Sequence, residues 1–333
     1  MYWLITWFRN WLFDRGVLPS TSFPIPVISI GNLAVGGTGK TPHTIAIAEI
    51  LLDSGLRVGV LSRGYGRRTK GYRQVTAEST VAEVGDEPIE IYLALSGRTF
   101  SAVCEDRVAG IRRMMAATTL DVLLLDDAYQ HRYVKPSLSV LLTDIHRPYW
   151  RDHILPYGRL REGRYGAGRA DIVVTTKHEQ PDAVIPHPET PQTWLSSSLS
   201  YGTLWPICPG AKLPEGDATT YNVLLLTGIA HPEPLLRHVQ SHYGSVTHLR
   251  FADHHDFTAK DAARIETAFA CLAAPRLIIT TAKDACRLSY LTSLSAPTRQ
   301  AIWVQPVKVC FGAQHQFLTQ ILQHHVNPHS TTP

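Results

Sequence analysis

The chain has 333 residues, a length that at about 100 to 200 residues per domain predicts two domains with substantial cores. Hydrophobic residues make up 44% of it and charged residues 18%, which excludes a disordered, collagen-like or coiled-coil protein. The formal net charge of +4 is too small to indicate a densely basic face, so we expect no nucleic-acid partner. The five cysteines are widely spaced without a C-x-x-C pair, which predicts neither a disulfide framework nor a zinc site and favours a reducing compartment.

The first thirteen residues, 1–13, have the spacing of an amphipathic helix. Trp3, Trp7 and Trp11 recur at every fourth position and share one helical face with apolar neighbours. The segment is interrupted by Arg9 and is too short to cross a hydrocarbon core, which needs about 20 residues. A helix lying in a membrane interface and a helix packed against its own protein both fit this pattern.

Strands and helices then alternate in two series. This alternation predicts βαβ units and a mainly parallel sheet with helices on both faces, followed by a second, smaller α/β domain. We place the first domain at 1–180, a linker rich in Pro, Ser and Thr at 181–216, and the second domain at 217–325. The predicted strands are 27–31, 57–61, 99–103, 121–126, 137–143 and 171–175, then 221–227, 245–251, 276–281 and 301–309. The predicted helices are 42–52, 88–95 and 105–117, then 234–241, 259–270 and 314–324.

A glycine-rich segment between a predicted strand and a predicted helix has the pattern of a P-loop. In such loops the backbone N–H groups and the helix N-terminus bind phosphate, the Lys contacts the β- and γ-phosphates, and the Thr hydroxyl binds Mg²⁺. Ala34 stands where the P-loop pattern has its first Gly. The residues expected to bind the nucleotide are Gly36, Gly37, Thr38, Gly39, Lys40 and Thr41.

Two adjacent carboxylates, Asp126 and Asp127, end a strongly apolar strand. Buried carboxylates are unfavourable unless a cation or hydrogen-bond donors satisfy them. The pair therefore predicts the acidic magnesium motif that accompanies a P-loop, with Thr41 as a further ligand.

Further loops contain charged groups with two possible roles each. Arg63 and Arg67 lie in a glycine-flexed loop that fits either a solvated surface or anion recognition. Asp86 precedes Pro88 and fits either a helix cap or a reacting carboxylate. His254 follows a strand and fits either a catalytic or an ordinary loop histidine, and a metal site around 251–257 lacks a third ligand. For Thr281-Ala-Lys-Asp284, helix capping is the favoured interpretation.

Taken in order, these motifs resemble the tetraacyldisaccharide 4′-kinase family, the lipid A 4′-kinases of Gram-negative bacteria. The segments that support the resemblance are Gly31-Asn…Gly36-Gly-Thr-Gly-Lys-Thr41, Ser62-Arg-Gly-Tyr-Gly-Arg67, Gly85-Asp-Glu-Pro88, Asp126-Asp-Ala-Tyr-Gln-His131, Leu160-Arg-Glu162, Thr227-Gly-Ile-Ala230, Phe251-Ala-Asp-His254 and Thr281-Ala-Lys-Asp284. Ala128 and Tyr129 depart from the family's Gly-Phe, and Gly163 departs from its Pro.

The resemblance implies transfer of the γ-phosphoryl group of ATP, with Mg²⁺, to the 4′-hydroxyl of a tetraacyldisaccharide 1-phosphate. It implies a peripheral protein, expected to be a monomer, on the cytoplasmic side of the inner membrane. Asp86 would be the catalytic base, supported by His254, with Lys40 on the triphosphate. The residues expected to bind the substrate are Arg63, Arg67, Arg161 and Glu162.

Two other classes remain as alternatives. A membrane-associated P-loop ATPase or GTPase switch would hydrolyse its nucleotide without an acceptor, and Thr176-Lys-His-Glu179 resembles its [NT]-K-x-D guanine reader. A lipid-binding scaffold with a relic P-loop fits poorly because Lys40, Thr41 and both aspartates are present.

Overall fold

The computed structural model describes residues 2–183 and 190–326, which form two compact units. The first unit combines residues from Met1–Ser200 with residues from Lys308–Pro333, and the second is Tyr201–Val307. Met1 of the predicted N-terminal helix and 184–189 of the predicted linker lie outside the described residues.

The first unit alternates strands with helices, as the sequence predicts. Its elements before the second unit are α1 (Tyr2–Asp14), β1 (Val27–Asn32), α2 (Lys40–Asp53), β2 (Val58–Ser62), β3 (Arg73–Gln74), α3 (Val81–Val84), α4 (Asp86–Ala94), β4 (Phe100–Val103), α5 (Arg107–Ala117), β5 (Val122–Asp126), β6 (Leu138–Asp144), β7 (Ile172–His178) and β8 (Thr193–Tyr201).

The second unit has its own set of strands and helices. These are β9 (Trp205–Pro206), β10 (Asn222–Thr227), α6 (Glu233–His242), β11 (Ser245–Arg250), α7 (Ala259–Ala270), β12 (Arg276–Thr281), α8 (Ala282–Leu288), α9 (Ala296–Gln300) and β13 (Ile302–Gln305). The chain then returns to the first unit with β14 (Val307–Cys310) and α10 (Gln314–Val326).

The large sheet of the first unit has the strand order β14-β8-β7-β6-β1-β5-β2-β4-β3. The strands from β8 to β4 in this order are parallel, and the short β3 is antiparallel to β4. Residues of α2, α4 and α10 pack on one face of the sheet, and α5 packs on the other. Because helices cover both faces, the central strands are buried along their whole length. The predicted P-loop type of α/β fold is confirmed.

The carboxyl ends of three central strands meet at one edge of this sheet. Strand β1 lies directly beside β5, with Ile30 in register with Asp126. Strand β2 lies on the other side of β5, with Leu61 opposite Leu125. The segments that follow β1, β2 and β5 therefore start close together, as expected for the ligand-binding edge of an open parallel sheet.

The sheet of the second unit has the order β11-β10-β12-β13-β9, parallel except for β9. Its core contains Leu224, Leu226 and Ile278 from the strands, with Ile265 and Phe269 from α7. The expected second, smaller α/β fold is thus present, with a sheet of its own.

The boundaries of the units differ from the predicted ones. Within the predicted linker 181–216, β8 pairs with β7 in the large sheet. The predicted strand 301–309 is two strands, β13 and β14, which belong to different sheets. The predicted closing helix is α10, and its Leu318 and Leu322 are fully buried in the core of the first unit. The return of the chain to the first unit cannot be read from local composition.

Candidate active site

The glycine-rich loop connects β1 to α2, and α2 begins at Lys40. Left-handed backbone falls on Gly36, with φ 109°, and on Gly39, with φ 86°, where residues with a Cβ atom would be strained. The Asn32 side chain donates a hydrogen bond from Nδ2 to Thr38 Oγ1 over 2.8 Å and ties the loop to the end of β1. The residues expected to bind the nucleotide are therefore consecutive residues of one phosphate-binding turn and helix N-terminus.

A second segment braces this loop. Val35 N donates to Arg159 O over 2.7 Å, and Arg161 N donates to Leu33 O over 2.7 Å. Between these bonds Ala34 forms a short β-bridge with Leu160, so the departure from the usual first Gly leaves the loop well supported.

Histidine 43 lies in the first turn of α2 and is fully buried. Its Nδ1 lies 2.7 Å from Gly39 O and must donate, because a carbonyl only accepts. Its Nε2 then accepts from the Ser197 hydroxyl over 2.9 Å. Burial lowers the pKa of His43 to about 4, so the ring is neutral at pH 7 and supports the turn without adding a charge.

The predicted acidic pair lies beside this loop. Asp126 ends β5 with 2% of its surface exposed. Its Oδ1 accepts from Thr44 Oγ1 over 3.0 Å, and its Oδ2 accepts from Ser62 Oγ over 3.3 Å. Burial, together with the negative charge of Asp127, raises the pKa of the Asp126 carboxyl. A cation beside the pair would relieve this unfavourable environment.

Asp127 has a left-handed backbone, with φ 46°, and contacts two cations. Its Oδ1 lies 3.8 Å from Lys40 Nζ and 3.3 Å from Arg161 Nη1. The structure thus joins Lys40, Arg161 and the acidic pair in one charged cluster beside the phosphate-binding loop.

The donor set fits a magnesium ion bound together with phosphates. Among residues 2–183 and 190–326 no group of three or more His, Cys, Asp or Glu side chains could hold a metal. The segment 251–257 lies within these residues, so the metal site suggested there by the sequence has no such group of ligands. Mg²⁺ bound to a nucleotide needs only one or two carboxylates, with water and phosphate oxygens as the other ligands. Asp126, Asp127 and the Thr41 hydroxyl match that need.

Asp86 is the first residue of α4 and is 4% exposed. The N-cap position belongs to Gly85, so Asp86 is not the capping residue, although its Oδ1 accepts from Glu87 N over 3.0 Å. Gly85 has φ 92°, and a Cβ there would approach Tyr65 O to 2.8 Å. The start of α4 is therefore packed closely against the loop that contains Arg63 and Tyr65.

The four residues expected to bind the substrate have different environments. Arg63 is exposed, whereas only 2% of the Arg67 side chain is exposed. Arg67 donates to Glu105 and to Gly71 O, each over 2.6 Å, while its Nε and Nη1 are buried without a partner in the described part of the chain. Arg161 contacts Asp127. The structure does not join the four into a single cluster.

Glu162 is 2% exposed, and its carboxylate accepts hydrogen bonds from three protein side chains. The donors are Asn10 Nδ2 at 2.6 Å, Gln130 Nε2 at 3.1 Å and Arg169 Nη2 at 2.7 Å. These bonds connect α1, the segment after the acidic pair and the loop before β7. Glu162 therefore links three segments of the first unit through its carboxylate.

Two residues near the acidic pair were not singled out from the sequence. Arg107 is 2% exposed. Burial lowers its pKa to about 10, although the negative charge of Asp126 acts in the opposite direction and raises this pKa. Burial, with the charge of Arg107, lowers the pKa of His131 to about 4. His131 ends the Asp126–His131 motif, which was a usable signal, whereas Arg107 resembles any arginine in the first turn of a helix.

Helix α1 has the reverse of the usual arrangement for a surface helix. Its buried residues are Asn10 and Phe13, while Trp3, Trp7 and Trp11 are 47%, 44% and 38% exposed. Polar bonds attach it to the first unit. The alternative in which the tryptophan face packs against the protein does not match this structure. No helix in residues 2–183 and 190–326 has the length and apolar character needed to cross a membrane.

In the second unit, three motifs gather at the carboxyl ends of β10, β11 and β12. Lys283 Nζ lies 2.9 Å from His254 Nε2. Thr281 is the N-cap of α8, and its Oγ1 accepts from Asp284 N over 3.0 Å, so the favoured capping interpretation is confirmed. Asp284 is fully buried and accepts from Gly228 N over 2.9 Å.

A glycine-rich loop that runs into a helix at Lys40, beside a buried aspartate on the neighbouring parallel strand, defines a P-loop nucleotide-binding protein. Comparison with known proteins narrows this class. A model of the family described as tetraacyldisaccharide-1-P 4′-kinase matches residues 1–326. The chain belongs to this family, which confirms the resemblance drawn from its motifs.

Individual relatives agree over most of the chain. The tetraacyldisaccharide 4′-kinase of Parabacteroides distasonis is 42% identical over 335 residues, covering 95% of this chain and 90% of the relative. That of Bacteroides thetaiotaomicron is 41% identical over 329 residues, covering 93% and 86%. The crystal structure of LpxK from Aquifex aeolicus in complex with ATP matches with a TM-score of 0.74 and 27% identity, covering 98% of this chain and 96% of that one.

Proposed function

We propose that this protein transfers the γ-phosphoryl group of ATP to the 4′-hydroxyl of a tetraacylated glucosamine disaccharide 1-phosphate, a step of lipid A biosynthesis. The observation that carries this proposal is the cluster of Lys40, Asp126 and Asp127 at the phosphate-binding loop of a chain that matches the family over residues 1–326. The ATP complex of the Aquifex relative supports ATP as the donor.

The first part of the proposal concerns the nucleotide. Backbone N–H groups from Gly36 to Thr41 bind the phosphates, and Lys40 neutralises charge on the β- and γ-phosphates. Thr41 and Asp126 would hold Mg²⁺, with Asp127 contacting it directly or through water, and the bound ion would neutralise charge on the phosphates. Thr44 and Ser62 fix the orientation of the Asp126 carboxylate.

The second part concerns the acceptor hydroxyl, which is a poor nucleophile until it is positioned and loses its proton. We propose that Asp86 accepts this proton and that His254 supports the step. A carboxylate whose surface is 4% exposed, at a helix start packed against a glycine-flexed loop, is held in a defined orientation. It is not needed as the helix cap, because Gly85 occupies that position.

The third part concerns recognition of the acceptor. Arg63 and Arg161 would bind the phosphate of the acceptor. Arg67 holds the loop that contains Arg63 through its hydrogen bonds to Glu105 and Gly71 O. We propose that Glu162 contributes by joining α1 to Gln130 and Arg169. The exposed aromatic face of α1 fits a lipid interface, so we place the protein, acting as a monomer, peripherally on the cytoplasmic side of the inner membrane.

The experiment that tests the proposal measures ³²P transfer from [γ-³²P]ATP to a tetraacyl disaccharide 1-phosphate in mixed micelles. A lipid kinase requires the acceptor for turnover of ATP, and labelled lipid should form in step with ADP. The P-loop switch, the alternative class, would hydrolyse its nucleotide equally well without lipid and would favour GTP if Thr176-Lys177 served a guanine reader. That alternative is not favoured by the family match, and Lys177 is paired with Asp144 over 2.6 Å.

A further inference from the structure

We propose that Lys283 is a positioning residue for His254: its ammonium group holds the neutral imidazole in the Nδ1–H tautomer. His254 is then a hydrogen-bond donor during phosphoryl transfer and not the group that accepts the proton. This inference rests on the proposed function, in which His254 supports the reaction.

The two side chains are within hydrogen-bond distance, and only one of them can be the donor. Lys283 Nζ lies 2.9 Å from His254 Nε2. An ammonium group has three donors and no acceptor, so Nε2 must offer its lone pair to Lys283. The single proton of the neutral ring is then on Nδ1.

A carboxylate also lies close to the Lys283 ammonium group. Asp253 Oδ1 lies 3.6 Å from Lys283 Nζ, while Asp253 Oδ2 is 3.9 Å from His254 Nε2, beyond hydrogen-bond range. The Lys283 side chain is 19% exposed and that of His254 is 40% exposed. Lysine is therefore the partner of Nε2.

Hydrogen bonds hold the backbone of His254 in an uncommon conformation. His254 has a left-handed backbone with φ 57°, which is uncommon for a residue other than Gly, and its N–H donates to Gly228 O over 3.2 Å. Arg287 donates to the same Gly228 O over 3.4 Å and to His255 O over 3.3 Å. These bonds at Gly228 and His255 hold the backbone of the loop in place, so that the Cα–Cβ bond of His254 has a fixed starting direction.

The buried side chain of Asp284 stabilises this arrangement through several hydrogen bonds. Asp284, the neighbour of Lys283, accepts from Gly228 N at 2.9 Å, from Thr281 Oγ1 at 2.7 Å and from Arg287 Nη2 at 2.9 Å. One short segment, Thr281 to Arg287, thus fixes both the backbone of His254 and, through Lys283, its ring. A strained residue held by a buried network is a common feature of functional sites.

The chemical consequence concerns the direction of proton movement. With Nε2 engaged by Lys283 and Nδ1 protonated, the ring has no free lone pair for a proton from the sugar hydroxyl. It can donate through Nδ1–H, which suits holding a carboxylate or a phosphate oxygen in place. The proton must therefore go to another group, which the proposed function identifies as Asp86.

The test uses Lys283→Met and Lys283→Arg in the full-length protein, with Lys260→Met as a matched control. Lys260 is an exposed lysine on α7 of the same unit, so its loss removes an equal charge elsewhere. The first readout is the ¹⁵N NMR spectrum of histidine-labelled protein, with the His254 signals assigned by comparison with His254→Gln. Wild type and Lys260→Met should show the Nδ1–H tautomer, whereas Lys283→Met should populate the Nε2–H form.

The second readout is kinetic. Lys283→Met should lower kcat by roughly 10- to 100-fold, the order expected when a group at the reacting centre is misplaced, with the KM for ATP unchanged. Lys283→Arg should recover part of the loss because Arg also donates. Melting temperatures check that the variants fold.

The outcomes separate this inference from the proposed function. An Nε2–H or doubly protonated His254 in the wild type would overturn the role of Lys283, whatever the kinetics. A Lys283→Met protein that loses ATP affinity and keeps kcat would show that the lysine binds nucleotide instead. If His254→Gln keeps full kcat, the proposed role of His254 fails, while the NMR result still decides the tautomer.

Discussion

Asn10 and Glu162 form a 2.6 Å hydrogen bond that attaches the N-terminal helix to the segment bearing Arg161. Both side chains are buried, whereas Trp3, Trp7 and Trp11 of the same helix are exposed. Tyr2 adds a bond from its hydroxyl to Arg161 O over 2.8 Å. Polar bonds therefore contribute to the attachment of the helix, and its tryptophan face stays exposed.

This arrangement predicts the effect of replacing the exposed tryptophans. Trp3→Ser combined with Trp7→Ser should weaken binding to vesicles of anionic phospholipid by at least about tenfold, because large apolar side chains leave the interface. The melting temperature should hardly change, since both rings are exposed. Sedimentation with vesicles and thermal melting measure the two effects.

A matched control is Tyr157→Ser, which removes an aromatic side chain that is 92% exposed elsewhere in the same unit. It should leave vesicle binding intact. A large drop in melting temperature for the double tryptophan variant, with unchanged vesicle binding, would assign α1 to the core of the protein.

The second prediction concerns Lys40 and Asp126. Lys40→Ala and Asp126→Asn should each reduce kcat by roughly 10²-fold or more, because charge stabilisation at the transferred phosphoryl group is lost. Burial raises the pKa of Asp126, which means that its ionised form destabilises the folded state without a cation. Asp126→Asn should therefore melt at the same or a higher temperature than the wild type in the absence of Mg²⁺.

Transfer kinetics and melting with and without Mg²⁺ measure these effects. The exposed residue Asp53 provides a control, since Asp53→Asn should change neither. Near-normal transfer by Lys40→Ala or Asp126→Asn would refute the roles assigned to the phosphate-binding loop and the acidic pair.

The third prediction concerns Asp86 and His254. Asp86→Asn should lower kcat by roughly 10²- to 10⁴-fold, the usual range for a general base, with little change in ATP affinity. His254→Gln should cost less if it only orients a partner. Residues that act as one device are non-additive, so the double variant should be little worse than Asp86→Asn alone. Losses that multiply in this cycle would mean that the two residues act independently.

The fourth prediction concerns acid stability. Burial lowers the pKa of His43 from its ordinary value of 6.5 to about 4, so the unfolded chain binds this proton more readily than the folded one. The contribution of neutral His43 to the stability of the fold is fully present above the pKa of this histidine in the unfolded chain. It is lost as the pH falls from about 6.5 towards 4. The free energy of unfolding should drop by up to roughly 3 kcal/mol over this interval.

Urea denaturation from pH 7 to pH 4 measures this effect. His43→Gln should flatten the dependence, although His131, whose pKa is also lowered to about 4 by burial, retains part of it. The exposed His315 offers a control, because His315→Gln should leave the slope unchanged. An unaltered slope in His43→Gln would contradict the neutral, buried state of this ring.

The sequence predicts most of the regular elements because each combines apolar periodicity with a recognisable end. Helix α7 begins after Thr258, which with Asp261 forms a capping box, and its predicted bounds agree with the structure. The phosphate-binding loop is equally readable, since a Gly-rich turn followed by Lys40 and Thr41 has few other uses. Local chemistry defines these features, and local sequence therefore reveals them.

Features that depend on distant partners were not predictable in this way. Strand β8 lies in a segment rich in Pro and Ser, and only its pairing with β7 makes it a strand. Glu162 resembles a substrate ligand in its motif, but its carboxylate accepts hydrogen bonds from Arg169 and from Asn10, which lies 152 positions away in the sequence. The contact of Lys283 with His254 likewise spans 29 positions, and the spacing of either motif gives no sign of it.

Transfer of the γ-phosphoryl group to the 4′-hydroxyl of the disaccharide can be observed by two-dimensional ¹H–³¹P NMR of the purified lipid product. We expect a new phosphomonoester signal that correlates with the proton on carbon 4′, formed only when ATP, Mg²⁺ and active protein are all present. Release of the γ-phosphate as inorganic phosphate, or a new phosphate correlated with any other sugar proton, would contradict it.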